Sequence, residues 1–361
     1  MKDKEKIQDD YNLLKQMLKD WEVGGTKSEV TGDLIKIYDD FSRELLQDSI
    51  YNNIKSAIRG IAAINGCEVS PIKRTLKKLE RKNIPKNELK SFNESFTFVD
   101  KNHNERVLPY DISLNDLNKT SFRVCELYGE LHGAPPIRDY EISKANYPDY
   151  FFKIDGKCYT YNFLYSYIHY VFCSRFIDFS KVDNIFEIGP GAGKQVELIK
   201  KIHPDINFYL MDLAPSLYVC HQYLKAIFPT SIVPYDKTRN IEEIKLEGKG
   251  QIAFLGNWQL EALRPVGKTM SFTAAVLDLM PTYVMKRYVD KIMEISNYVY
   301  MMESREDSTK EAYSMQSSAD ISDISKLLKN KFSLEGNEPA FYPLRDRDDF
   351  GGFEMMFWKT K

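Results

Sequence analysis

Apolar residues near the start of the chain recur at the spacing of amphipathic helices. One run covers residues 13–21 and a second covers residues 34–46, with Gly24-Gly25 between them, so the pattern predicts two helices separated by a turn. Ser70-Pro71 places a capping residue and a first-turn proline ahead of a third, short helix that ends near residue 82. The pattern over residues 91–155 is irregular, and we expect loops and short elements there.

Beyond residue 184 short apolar runs alternate with helical periodicity. This alternation is typical of βαβ units and predicts an α/β fold with a mostly parallel sheet. The expected strands cover residues 184–188, 207–211, 251–255, 271–277, 298–302, 331–335 and 353–358. The expected helices cover residues 194–202, 215–228, 282–295 and 321–328. A further helix is expected over residues 161–177, and it is too short and too polar to span a membrane, so we expect it to be buried.

The charge balance narrows the classes of partner. The chain has 50 Lys and Arg against 52 Asp and Glu, a net charge of −2, whereas general nucleic-acid and membrane-surface binders carry a large excess of one sign. We therefore expect neither a nucleic acid nor a membrane as partner. Residues 71–90 differ, since their eight Lys or Arg and two Glu give a local net charge of +6. Such a run is either a solvated helix face or a site for a phosphate-bearing substrate.

The first residues of the chain and its cysteines indicate where the protein is located and which covalent or metal sites it has. The first residues are charged and lack the apolar segment of a secretory signal, which predicts a cytoplasmic protein. Five cysteines are scattered without a Cys-x-x-Cys pair, so we expect neither a disulfide framework nor a metal site.

The most specific motif joins an apolar strand to a helix through three alternating glycines. Glu187 ends the strand, and Gly189, Gly191 and Gly193 follow it, so that backbone can pass close to a ligand at the helix N-terminus. Asp212 comes 19 residues after Gly193, at the end of the next expected strand. A carboxylate there can accept hydrogen bonds from a ribose diol. The motif therefore predicts a nucleoside-binding site, with a tight structural turn as the alternative.

Neighbouring residues weaken two other nucleotide motifs. A dinucleotide fingerprint has glycine where Lys194 stands, and a P-loop has glycine in place of Ile188 and Ser or Thr in place of Gln195. An acidic residue at the strand end suits a cationic amino acid group better than a pyrophosphate. S-adenosylmethionine carries such a group, and we expect it as the cofactor.

These residues resemble the class I S-adenosylmethionine-dependent methyltransferases over about residues 184–361. Within that class, residues 208–229 and 131–135 are similar to the bacterial sugar O-methyltransferase family, whereas residues 273–281 lack the Asn, Gln and Glu of that family. The resemblance implies a Rossmann-like, mostly parallel sheet with an antiparallel last strand. It also implies two domains, namely a helical N-terminal lid and substrate domain over residues 1–183 and a cofactor-binding methyltransferase domain over residues 184–361.

The resemblance further assigns residues to each part of the cofactor. Glu187 and the glycine turn would hold the methionine end and Asp212 the ribose, while Asn257-Trp258 would contact adenine. Trp258 could equally be a core aromatic residue. The full expected set is Glu187, Gly189, Gly191, Gly193, Asp212, Leu213, Asn257, Trp258 and Thr273.

Methyl transfer to a hydroxyl needs positioning and a base for the proton. Asp278 and Glu303 lie at or just beyond the ends of their expected strands, and Asp278 is the favoured base or acceptor-orienting group. His132 and His169 are further catalytic candidates, because segments before the glycine strand cover the active site in the resembling superfamily. Each of these residues also has a structural interpretation, as a capping carboxylate or a core histidine.

The expected function is O-methylation of a sugar or another small-molecule hydroxyl. The tyrosine-rich residues 159–170 would then line a sugar pocket or, alternatively, pack in the core. A methyltransferase of a peptide or natural-product intermediate and a non-catalytic S-adenosylmethionine-binding protein are the alternatives. A nucleic-acid methyltransferase is less favoured, because residues 278–281 read Asp-Leu-Met-Pro and not Asn/Asp-Pro-Pro-aromatic. The acceptor would be a sugar or a phosphate-bearing small molecule, and homo-oligomerisation is left open.

Overall fold

The computed structural model describes residues 10–24, 97–99, 105–107, 117–143, 145, 152–304, 321–340 and 353–361. The helices expected over residues 34–46 and 70–82, and the basic run at residues 71–90, lie outside these ranges.

In the part of the chain that the structure describes, short elements and three longer helices precede the glycine turn. In chain order they are α1 (Tyr11–Val23), β1 (Thr97–Val99), β2 (Glu105–Val107), α2 (Leu117–His132), β3 (Phe152–Ile154), β4 (Lys157–Tyr159) and α3 (Tyr161–Ser174). β1 and β2 form one antiparallel hairpin, and β3 and β4 form another.

The second half alternates strands and helices as expected. Its elements are β5 (Asn184–Ile188), α4 (Lys194–Ile202), β6 (Asn207–Asp212), α5 (Ala214–Ile227), β7 (Ile252–Gly256), β8 (Thr269–Ala274), α6 (Thr282–Ile295), β9 (Tyr298–Ser304), α7 (Ile321–Leu328), β10 (Phe332–Pro339) and β11 (Phe353–Thr360). The strand expected over residues 271–277 stops at Ala274, because Ala275 has a left-handed backbone with φ +55°. The next residues form a short 3-10 helix instead.

These strands build one seven-stranded sheet in the order β10-β11-β9-β8-β5-β6-β7. The pairs among β5 to β9 are parallel, and β11 pairs antiparallel with both β9 and β10. The predicted Rossmann-like sheet with an antiparallel last strand is therefore confirmed. Parallel pairing brings the carboxyl ends of β5 to β9 to one edge, and the strand order reverses beside β5, where ligands bind in open α/β sheets.

The sheet separates two apolar layers. Ile185 points to the first face, where it packs in one cluster with residues of α1, α3, α4 and α5. Phe186 points to the second face, where the cluster includes residues of α6 and α7. Because side chains alternate along a strand, Glu187 lies on the first face.

The described part of the first half shares the core of the sheet. Leu14, Met17 and Trp21 of α1 belong to the same buried cluster as the sheet residues of the first face. No separate hydrophobic core sets off the elements described before residue 184, so the division at 183/184 stays a prediction.

Helix α3 is buried along almost its whole length, as predicted. Tyr159, Tyr161, Tyr167 and Tyr170 are core residues, and of this group only Tyr165 is half-buried. Core packing is thus the role the structure gives to most of the tyrosine-rich segment. None of the described helices has the length and apolar composition needed to cross a membrane.

Candidate functional site

The chain passes from β5 into α4 through three left-handed residues. Gly189, Gly191 and Gly193 have φ values of +68°, +53° and +77°, which side chains with a Cβ rarely adopt. The Gly189 N–H donates to the Met211 carbonyl at 2.9 Å and ties the turn to the end of β6. A Cβ on Gly193 would lie 3.0 Å from Cys220 Sγ, so glycine also permits the close packing of α4 on α5.

Glu187 places a buried carboxyl group directly before this turn. The residue is 4% exposed, and its Oε2 has no hydrogen-bond partner among the described residues. Burial, together with the charge of Asp212, raises the pKa of Glu187 to about 8. Because an unpaired buried carboxylate is costly, the group favours either a proton or a cationic ligand.

Asp212 ends the neighbouring strand β6 and lies beside Gly256 in the β6–β7 register. Its Oδ1 accepts a hydrogen bond from the Leu213 N–H at 2.8 Å. Burial raises the pKa of Asp212 to about 7, although N–H groups of Leu213 and Gly191 oppose the rise. Leu213 contributes its backbone N–H to this hydrogen bond with Asp212, while its side chain packs against the core. The site therefore holds two carboxyl groups on adjacent strand ends.

Asn257 and Trp258 follow the end of β7. Asn257 is 4% exposed and begins a short 3-10 helix, Asn257–Ala262. The half-buried Trp258 folds its indole back over Gly256, so that a Cβ on this glycine would collide with the ring. The ring packs against the core, and its contact with adenine stays a prediction.

Thr273 and Glu303 form a separate polar cluster at the ends of β8 and β9. The fully buried Glu303 carboxylate accepts the Thr273 hydroxyl at 3.0 Å. It also accepts the backbone N–H groups of Val276 at 3.1 Å, Leu277 at 3.4 Å and Asp278 at 3.3 Å. Thr273 therefore supports the loop after β8 through Glu303.

Asp278 faces into this cluster. It is 1% exposed, and its Oδ2 accepts the Ser304 N–H at 3.2 Å. Burial raises the pKa of Asp278, and burial with the nearby Asp278 charge raises that of Glu303. The left-handed residue 275 turns the chain back after β8, and Asp278 is buried there. Its role as a base stays a prediction.

The two candidate histidines lie in different surroundings. His169 is 3% exposed, its Nδ1 is hydrogen-bonded to the Tyr300 hydroxyl, and its ring packs edge-on against Phe272. Burial lowers the pKa of His169 to about 3, which keeps the ring neutral. His132 is half-buried at the last position of α2 and packs edge-on against Tyr128, with ring centroids 4.8 Å apart. The structure thus gives His169 the core position that the sequence left as its alternative.

A buried charged cluster beside the glycine turn was missed by the sequence analysis. Glu197 of α4 accepts the Ser143 N–H at 2.6 Å, Lys201 Nζ at 2.7 Å and the Tyr223 hydroxyl. Lys194 Nζ lies 3.5 Å from the centroid of the Tyr223 ring, and burial lowers the pKa of Lys194 to about 8. The missed signal was a glutamate among the apolar positions of an amphipathic helix. Within the ranges that the structure covers, no group of three or more His, Cys, Asp or Glu could hold a metal ion.

Comparisons with known proteins find similarity in solved structures alone. No protein-family model and no curated protein sequence matches the chain. The chain is similar to the mitomycin 7-O-methyltransferase MmcR at 11% identity, covering 68% of this chain and 69% of that one, with a TM-score of 0.37. It is similar to magnesium protoporphyrin IX methyltransferase from Synechocystis PCC 6803 with bound SAM at 12% identity, 49% and 69% coverage and a TM-score of 0.33. It is also similar to the N-methyltransferase NodS from Bradyrhizobium japonicum WM9 in complex with S-adenosyl-L-homocysteine at 14% identity, 50% and 78% coverage and a TM-score of 0.33.

Proposed function

We propose that this protein is an S-adenosylmethionine-dependent methyltransferase that acts on the hydroxyl of a sugar or another small molecule. One observation carries the cofactor assignment. The carboxyl groups of Glu187 and Asp212 occupy adjacent strand ends beside a left-handed glycine turn, and no described residue makes a hydrogen bond to Glu187 Oε2. In the described ranges, no Lys, Arg or His forms an ion pair with either carboxyl group.

The residues at this edge fit the chemical parts of the cofactor. Glu187 would accept hydrogen bonds from the amino group, and Asp212 would accept them from the ribose hydroxyls. The indole of Trp258 offers a flat face to adenine beside Asp212. When bound, S-adenosylmethionine supplies a methyl group on a sulfonium leaving group. The protein's own contribution to the reaction is to orient the acceptor hydroxyl and receive its proton.

The acceptor assignment has a different basis. The similarity of residues 208–229 and 131–135 to the sugar O-methyltransferase family supports a sugar. In this proposal the first half of the chain covers the acceptor, and Asp278 receives the proton when the loop after β8 opens. A peptide or natural-product hydroxyl is the closest competing acceptor.

A non-catalytic S-adenosylmethionine-binding protein is the second candidate function. The observation that favours it is the burial of two of the proposed catalytic groups, since Asp278 is 1% and His169 is 3% exposed. Neither group reaches an acceptor without a movement of the chain.

Calorimetric titration with S-adenosylhomocysteine tests the cofactor assignment. The wild type should bind, whereas Asp212→Ala should weaken binding by about a hundredfold, because a charge-assisted pair of hydrogen bonds is lost. Asp205→Asn is the matched control, since this 77% exposed carboxylate lies outside the carboxyl edge. Equal affinity in the wild type and Asp212→Ala, or no binding by the wild type, would overturn the assignment.

Mass spectrometry after incubation with S-adenosylmethionine and acceptor panels tests catalysis. Free sugars, nucleotide sugars, hydroxylated peptides and polyketides form the panels. A gain of one methyl group on a sugar supports the proposal. Methylation of members of another panel alone would show that the acceptor is not a sugar. Binding of S-adenosylmethionine without methylation in any panel would favour the non-catalytic candidate.

A further inference from the structure

Helix α1 reaches the candidate site from the other end of the chain. Its buried residues Leu14, Met17 and Trp21 pack in the cluster on the first face of the sheet. At its start, the Asp10 N–H donates to the Tyr218 hydroxyl of α5 at 3.0 Å. The helix is therefore anchored along α5, which begins directly after Asp212 and Leu213.

An ion pair fixes the C-terminal end of α1. Asp20 accepts two hydrogen bonds from Arg239, with Nε at 2.7 Å from Oδ2 and Nη2 at 2.5 Å from Oδ1. The Tyr235 hydroxyl donates to the same carboxylate at 3.0 Å, and Gln16 Nε2 donates at 2.9 Å. The carboxylate is 12% exposed, and a bidentate pair of this kind is strong and directional. Since Arg239 and Tyr235 belong to the segment that leads into β7, the pair ties α1 to that strand.

The end of α1 contacts Trp258. A Cβ on Gly24 would lie 2.7 Å from Trp258 Cβ and 2.8 Å from Cγ. A Cβ on Gly256 would collide with the six-membered ring of the same indole. The Trp258 side chain thus contacts two glycines, Gly24 directly after α1 and Gly256 at the end of β7. Its orientation beside Asp212 depends on how closely α1 approaches.

We propose that α1 is a positioning element of the cofactor site, which sets the Trp258 indole as a flat shelf for an adenine ring. The Asp20–Arg239 pair fixes the approach of the helix, and Gly24 leaves room for the indole. This inference rests on the proposed function, because it names adenine as the group on the shelf. It adds a role for residues near the start of the described chain. These residues reach the end of β7 only through contacts of the folded chain, as Asp20 and Arg239 do across 219 positions.

Gly24→Ala tests the fit at the indole. Gly24 has φ −64° and ψ −8°, which alanine adopts without strain, so the added methyl group acts through Trp258. We expect affinity for S-adenosylhomocysteine to fall about tenfold, within the range that base–aromatic stacking contributes. Val23→Ala is the matched control, because Val23 is the preceding residue and is 79% exposed.

Tryptophan fluorescence separates positioning from a general loss of structure. Titration of the wild type with S-adenosylhomocysteine should change the emission. Trp258→Phe should abolish that change, because Trp258 is the half-buried tryptophan proposed to contact adenine, whereas Trp21 and Trp358 are 1% exposed. Gly24→Ala should reduce the change while thermal unfolding without ligand stays close to that of Val23→Ala. An unaltered change in Trp258→Phe would overturn the inference.

A double-mutant cycle tests the ion pair. Asp20→Ala and Arg239→Ala should each weaken S-adenosylhomocysteine binding, and the double variant should bind no worse than either one, because each change releases the same helix end. Lys19→Ala, on the exposed side of α1, is the control. Affinities of Gly24→Ala and the ion-pair variants equal to those of their controls would overturn the inference and leave the cofactor assignment intact. If the wild type does not bind S-adenosylhomocysteine, the proposed function fails first.

Discussion

At the scale of residues, burial decides the chemistry of the candidate site. Glu187 and Asp212 are acidic side chains whose pKa values rise to about 8 and about 7 as water is removed. His169 shows the opposite direction, because burial lowers its pKa to about 3 and favours the neutral ring. The sequence supplied the identity of each group, but its protonation depends on neighbours that only the fold brings together.

The raised pKa values predict how stability depends on pH in the empty protein. Unfolded carboxyl groups titrate at about pH 4, so between about pH 4 and pH 8 Glu187 and Asp212 bind more protons in the folded state than in the unfolded chain. The contribution of these two groups to stability should therefore fall as pH rises through this window. Glu187→Gln removes the larger of these two pH-dependent contributions to the free energy of unfolding. Urea unfolding at about pH 5 and about pH 8 should therefore show a smaller loss of stability between these two pH values in this variant than in the wild type. Asp205→Asn controls for the loss of one carboxylate, and an unchanged decline in Glu187→Gln would contradict the assignment of the shift.

At the scale of elements, one buried acid organises the loop between β8 and α6. Glu303 holds three backbone N–H groups of this loop, and Val276 from the same loop covers Gly189, where a Cβ would collide with it. The loop and the glycine turn are thus packed together. The sequence pattern predicted a strand that continues to residue 277, because the residues of the turn are also apolar. The left-handed backbone of residue 275 has no signature in the sequence, so the end of the strand at Ala274 was not predicted.

Glu303→Gln should destabilise the protein by about 1–3 kcal/mol, because an amide places donors against backbone N–H groups that need acceptors. Glu261→Gln, at a side chain that is 68% exposed, is the control for chemical denaturation.

Asp278→Asn separates two roles of the neighbouring acid. If Asp278 receives the acceptor proton, this variant should reduce kcat about a hundredfold or more with little change in S-adenosylhomocysteine affinity. Loss of stability equal to that of Glu303→Gln, with kcat unchanged, would restrict Asp278 to supporting the loop.

At the scale of the whole molecule, the described N-terminal helices and the sheet share one core. Trp21 of α1 is 1% exposed and packs in the cluster that includes sheet residues Ile185 and Phe208. A shared core favours cooperative unfolding of these parts. The expected lid over residues 1–183 therefore includes elements that support the sheet itself.

Trp21→Ala tests this coupling. The cavity should lower the free energy of unfolding by about 3–5 kcal/mol. Near-ultraviolet circular dichroism and helix content should both report the same single unfolding transition, shifted by the same amount. Lys19→Ala is the control on the exposed side of the same helix. Two separate transitions, with only one shifted, would indicate an independent N-terminal domain.

The sequence by itself determined the order of helices and strands after residue 184, the glycine turn and the acidic ends of β5 and β6. These features follow from hydrophobic periodicity and backbone preferences that act within a few residues. Tertiary structure alone decided that Asp278 faces Glu303, that His169 lies in the core and that Gly24 contacts Trp258. Such contacts join residues far apart in the chain, as Asp20 and Arg239 are by 219 positions, and no local pattern specifies which buried surfaces will meet.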